Sequence, residues 1–117
     1  MNSLNIFCVT DKPHKHLEAL NLNLAGVGKR QFSQKYITCL NGKNIQKKEK
    51  YYSELTFHYW YWKNLLDLES DDQWIGFCQK RRYWIKTNLK ENININNIND
   101  YLLTDLKEEW IDYDSLI

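Results

Sequence analysis

The sequence predicts an open α/β sheet, and three observations carry that expectation. Two short, continuous apolar runs, residues 4–9 and 74–78, read as buried strands. Between them, residues 53–66 space their apolar side chains as a helix does. Strand-like and helix-like stretches alternate along the chain, which is the pattern of an α/β layer rather than of separate halves. At 117 residues the chain is expected to form one domain spanning 1–117.

The first strand contains Ile6, Phe7 and Val9 and runs into Thr10-Asp11-Lys12-Pro13. Pro13 biases Lys12 away from helix, so the strand is expected to end in a polar loop. Such a loop is where open α/β sheets gather ligands. Residues 17–24 carry leucines at 17, 20, 22 and 24, matching neither period, and predict only a short helix around 15–21. Gly26-Val27-Gly28 predicts a turn or a close backbone approach, and residues 36–40 a second short strand. Residues 41–50 are polar and basic and read as an exposed loop. Ser53 is expected to cap the next helix, whose inward face should be Leu55, Tyr59, Trp62 and Leu66, at i, i+4, i+7 and i+11. Residues 67–73 read as an acidic turn. Residues 88–99 are asparagine-rich and read as a loop. Residues 101–110 predict a helix presenting Leu102, Leu103, Leu106 and Trp110. Residues 112–117 read as a turn entering a further strand, which predicts a sheet that continues in a longer protein and an apolar edge prone to self-association.

The helix segment is unusual in composition. Seven of the twelve residues from Tyr51 to Trp62 are Phe, Tyr or Trp. Tyrosine and tryptophan carry polar handles that need partners when buried. Such a segment is therefore either the hub of a core or a wall that stacks on a flat ligand. Arg81-Arg82-Tyr83-Trp84 follows the second strand, and arginine matches phosphate oxygens bidentately. Adjacent arginines in a strand would point to opposite faces. Lys63 and Asn64 close the helix, and Glu54 opens it. His58 reads as a half-buried helix residue.

The bulk numbers exclude some classes. Sixteen basic and fifteen acidic residues give a net charge of +1, no footprint for non-specific nucleic-acid binding. Cys8, Cys39 and Cys78 lack metal-ligand spacing, do not combine with His14, His16 and His58 into a zinc pattern, and read as buried thiols of a reducing, cytoplasmic compartment. No apolar run reaches the roughly 18 residues that a membrane span needs, so membrane association would be at most peripheral. Asp112-x-Asp114 has the spacing that holds Mn²⁺ or Mg²⁺ between diphosphate oxygens in many sugar-nucleotide transferases, though it reads better as an exposed turn.

Several segments resemble one family in order and spacing. Asn44-Ile45, the run from Tyr51 through Ser53-Glu54-Leu55-Thr56 to Tyr59-Trp60-Tyr61-Trp62-Lys63-Asn64, and Ile75-Gly76-Phe77-Cys78 with Arg81-Arg82-Tyr83 look like the family's NIS-x-K-N, YxELTxxYWxWKN and IGLxHYRRYF patterns. This is a bacterial glycosyltransferase-like family, domain of unknown function 4422, associated with capsular and exopolysaccharide synthesis. The resemblance covers most of residues 4–84. It implies the Rossmann-like half of a type-A sugar-nucleotide transferase fold and a nucleotide-diphosphate sugar as donor, with a glycan or lipid-linked acceptor, at the inner face of the membrane. By the same resemblance Thr10, Lys12, Asn44, Glu54, Lys63, Asn64, Arg81 and Arg82 would line the donor site, with Tyr59 or Trp62 stacking on base or sugar. The family's His-Tyr before the arginines is Gln79-Lys80 here, and its members are about twice this length. A non-catalytic remnant that still binds sugar nucleotide is therefore the second reading. A single-stranded nucleic-acid module with Arg81–Trp84 as platform is the third.

Overall fold

The computed structural model describes residues 3–68, 73–86, 92–94 and 96–115. Its centre is a four-stranded parallel sheet of order β3-β2-β1-β4. The chain runs through β1 (Ser3–Thr10), a single helical turn α1 (Lys15–Glu18), β2 (Asn23–Gly26) and β3 (Tyr36–Thr38), always outward on one side of β1. It then passes through α2 (Glu49–Tyr52) and α3 (Leu55–Asn64) and returns to the other side of β1 as β4 (Gln73–Gln79). The direction of winding reverses between β1 and β4. In an open α/β sheet the crevice beyond the strand ends at such a reversal is where ligands sit.

β1 is central because both of its faces are covered. Phe7 and Val9 enter a cluster with Ala25, Val27, Phe57, Trp60 and Tyr61, while Cys8 enters another with Leu17, Leu24 and Tyr36. Alternate residues of a strand point to opposite faces, so a strand covered twice reads as a continuous apolar run. β2 is the strand that the sequence analysis missed.

α3 forms where expected but turns a different face inward. Its buried residues are Thr56, Phe57, Trp60 and Tyr61, whereas Leu55, Trp62 and Leu66 are exposed and Tyr59 is half-buried. The rings of Phe57 and Tyr61 lie 5.4 and 5.0 Å from that of Phe7. Aromatic residues occupy nearly every face of this helix, so spacing alone selects no unique one. The fit against Phe7 and Phe77 does. The expected cap also fails. Ser53 ends α2 with φ of +47° and gives its N–H to the Glu49 carbonyl at 2.8 Å, and Glu54 precedes the first turn of α3. Residues 41–50 are not all loop, since a 3₁₀ turn at Gln46–Lys48 feeds α2.

Residues 101–110 do not form the expected helix. Leu102 bridges Ile85 in antiparallel fashion, the Lys86 N–H reaches the Tyr101 carbonyl and the Leu103 N–H the Trp84 carbonyl, each at 2.9 Å. Leu102 and Leu103 are buried by this pairing, and only Glu108–Trp110 makes a 3₁₀ turn. Extended pairing to residues 84–86 supplies the backbone partners that a helix would have supplied. No strand forms from 111 to 115, and the end of the strand expected at 112–117 lies outside the described residues. Much of the asparagine-rich segment does too. What is described of it is a turn, with the Asn97 side chain accepting from the Asn94 N–H at 2.8 Å. No helix among the described residues is long and apolar enough to cross a membrane.

Candidate functional site

The strand ends at the reversal build a crevice of about 200 Å³. Thr10 and Asp11 come from the end of β1, Gln79, Lys80 and Arg81 from the end of β4, and Val27 from the loop after β2. Glu49 of α2 and Ser53-Glu54 before α3 close it. Thr10 is buried, and its hydroxyl donates to the Lys12 carbonyl at 2.7 Å while the Lys12 N–H points back to it at 3.3 Å. This local ring turns the chain sharply after β1, as short hydroxyl side chains do.

Lys80 and Asp11 join the ends of the two strands by an ion pair of 2.6 Å. The Lys80 ammonium holds the Asp11 carboxyl below the usual carboxylate range. A depressed carboxylate favours the folded state above its unfolded pKa, and that contribution fades as pH falls through the lowered value. Both members are partly solvated, so the pair positions the crevice more than it stabilises the chain. The Tyr83 hydroxyl is hydrogen-bonded to the Lys80 carbonyl, and the Arg82 N–H to the Gln79 carbonyl at 3.0 Å. Residues 79–82 therefore form a tight turn, and the arginines are not strand residues as expected. They still diverge. Arg81 lines the crevice just described, and Arg82 lines a second one of about 350 Å³ beside β4.

The sequence-predicted residues thus separate into groups. Thr10, Glu54 and Arg81 meet in the first crevice, and Arg82 lies next door. Lys12 is exposed and is not among the lining residues of either crevice. Lys63 sits at the far end of α3, its ammonium 3.6 Å above the ring of Trp62, which is 55 % exposed, with Tyr59 edge-on to Trp62. A helical rise of about 1.5 Å per residue places Lys63 more than about 10 Å from Glu54. Asn44 serves its own loop, donating to the Gly42 carbonyl at 2.9 Å and accepting from the Gln46 N–H at 3.2 Å. Asn64 ties the end of α3 to the loop after β3, donating to the Lys43 and Trp60 carbonyls at 2.8 Å. Gly42 sits under that amide with φ of +67°, and a Cβ there would overlap the Asn64 side chain. Gly42→Ala should therefore lose about 1–3 kcal/mol, from strained backbone alone. A urea midpoint equal to that of the parent would show that a side chain fits at Gly42 without strain or overlap.

Sequence reasoning did not single out Asp11, Glu49, Gln79 or Lys80 as members of one site. Asp112 and Asp114 are exposed, and neither lines the strand-end crevice. No three His, Cys, Asp or Glu side chains among the described residues converge to hold a metal ion. Of the cysteines, Cys8 and Cys39 are buried and Cys78 half-buried, all with free thiols.

The family model described as Domain of unknown function (DUF4422) matches residues 5–112. The chain belongs to this family. No curated protein and no solved structure matches the DUF4422 chain. The match spans β1 through β4 and the residues that fold back over β4, so both crevices lie within it.

Proposed function

We propose that this chain is a glycosyltransferase, with a type-A, Rossmann-like fold, that binds a nucleoside-diphosphate sugar at the β1/β4 strand ends. It passes the sugar to a glycan or lipid-linked acceptor. The observation that carries the reading is the convergence of Thr10, Lys80 and Arg81 at the reversal of a parallel sheet. Parallel sheets bind phosphate-bearing ligands at this place, and arginine offers a rigid fork of donors to phosphate oxygens. The resemblance in the Glu54–Asn64 and Arg81–Tyr83 segments supports the same reading.

The crevice of about 200 Å³ is smaller than a typical small-ligand pocket of about 300–1,000 Å³. It suits the diphosphate, with the sugar extending toward Glu54 and Gln79, which line both crevices. Arg81 would offset the charge that grows on the departing diphosphate, the electrostatic form of catalysis, joined by Lys80 where a phosphate oxygen takes the place of Asp11. Lys63, Asn64 and Asn44 act here as parts of the scaffold. UDP and GDP at 100 times their Kd should stabilise the chain by about 2.7 kcal/mol through mass action. A thermal-shift series with UDP, GDP and their sugars, with and without Mn²⁺, tests this. No shift with any of them sinks the reading.

A further inference from the structure

We propose that the second crevice, beside β4, holds the saccharide acceptor, and that His58 there takes the proton from its attacking hydroxyl. This rests on the reading of the strand-end crevice as the donor site. The second crevice measures about 350 Å³, within the range of small-ligand pockets. Its lining suits a sugar, which has apolar C–H faces and a rim of hydroxyls. Tyr83 and Trp84 supply aromatic surface, Arg82 donors, and Glu54 acceptors. Trp84 is anchored by its indole N–H, which donates to the Phe77 carbonyl at 3.1 Å, yet the residue remains 38 % exposed. An aromatic ring held in place and left partly bare is a stacking platform.

The two crevices share Glu54 and Gln79, so ligands in both would meet at the end of β4. His58 lies one helical turn beyond Glu54 and lines the second crevice alone. Its ring stacks against Phe77 with centroids 4.1 Å apart, which fixes its plane. The titratable groups that share the crevice with it are Glu54 just before its helix, Cys78 from β4, and Arg82 and Tyr83 from the turn and the residue after it. Burial lowers the His58 pKa, with Glu54 opposing in part, so the imidazole is neutral at pH 7 and has a lone pair to offer. Burial pushes the Tyr83 hydroxyl up to about 12, and the hydrogen bond with Cys8, with burial second, pushes the Cys78 thiol up as well. Neither is a base at neutral pH. In the transfer step the acceptor oxygen bonds to the anomeric carbon and its proton passes to the imidazole. The bond from that carbon to the diphosphate oxygen breaks, and its electron pair leaves on the diphosphate.

The test uses the full chain with UDP-glucose, UDP-galactose and GDP-mannose as donors. The p-nitrophenyl glycosides of glucose, galactose and mannose are the acceptor probes, and transfer is read as glycoside-dependent nucleotide release. His58→Gln should lower kcat at least 100-fold, the scale of a lost general base, while leaving the Kd of UDP or GDP within twofold. In the parent, kcat should fall about tenfold per pH unit below the His58 pKa, and His58→Gln should lack that limb. Trp84→Ala should raise the glycoside KM about tenfold with kcat little changed. Retention of the parental rate and pH profile by His58→Gln overturns the proposal. So does a pH limb that disappears in Glu54→Gln but survives in His58→Gln. A parent that binds UDP or GDP yet transfers to none of the glycosides overturns it while sparing the donor site. A parent that binds neither nucleotide overturns both.

Discussion

Phe57→Ala should cost about 3–5 kcal/mol of folding stability, and Trp62→Ala about 1 kcal/mol or less. Phe57 is fully buried and lies against Phe7, Trp60, Tyr61 and Phe77. Truncating a buried aromatic removes its transfer free energy and leaves a cavity that close-packed neighbours cannot fill. The loss is a large share of the 5–15 kcal/mol by which a domain is typically stable. Trp62 lies five residues further along the same helix with more than half its surface in solvent, and its main partners are the Lys63 ammonium and the edge of Tyr59. An exposed cation–π contact contributes about 0.5–1 kcal/mol. Urea denaturation of the two variants decides the matter. A Trp62→Ala loss that equals or exceeds that of Phe57→Ala would return the helix to the face that spacing alone suggested.

That contrast shows what the sequence could reveal. β1 was legible because a strand covered on both faces leaves a continuous apolar run, Ile6-Phe7-Cys8-Val9, and the half-buried β4 carries a similar run, Trp74-Ile75-Gly76-Phe77. The helix was legible as a helix, but rings on all its sides hid which face goes inward. β2 was missed because four residues, Asn23-Leu24-Ala25-Gly26, are too few to show a period. They are held by register with β1, a tertiary fact. The same holds at the site. Thr10 and Arg81 could be placed by the rule that parallel strands end at ligands. The Asp11–Lys80 pair could not, because it joins residues 69 apart in sequence. The family resemblance groups Lys63 with the arginines, and the length of α3 sets it apart from the crevice that Glu54 and Arg81 line.

Arg81→Ala should weaken UDP or GDP binding by about 1.5–3 kcal/mol, while Arg82→Ala should change it by well under 1 kcal/mol. The first range is that of a hydrogen bond to a charged group. The difference between neighbours follows from the turn at residues 79–82, which directs Arg81 to the crevice of Thr10 and Lys80 and Arg82 to the crevice of His58 and Trp84. Arg81→Lys should recover only part of the loss, since an ammonium keeps the charge but not the planar fork. Titration calorimetry at two salt concentrations separates these contributions. The charge common to Arg81→Lys and the parent is screened by salt, whereas the advantage of the fork should survive it. Equal losses in the two alanine variants would mean that one ligand spans both crevices, and the division into donor and acceptor compartments would fail. Equal affinities in the parent and both alanine variants would remove the nucleotide from this sheet edge and leave the DUF4422 fold without the activity proposed for it.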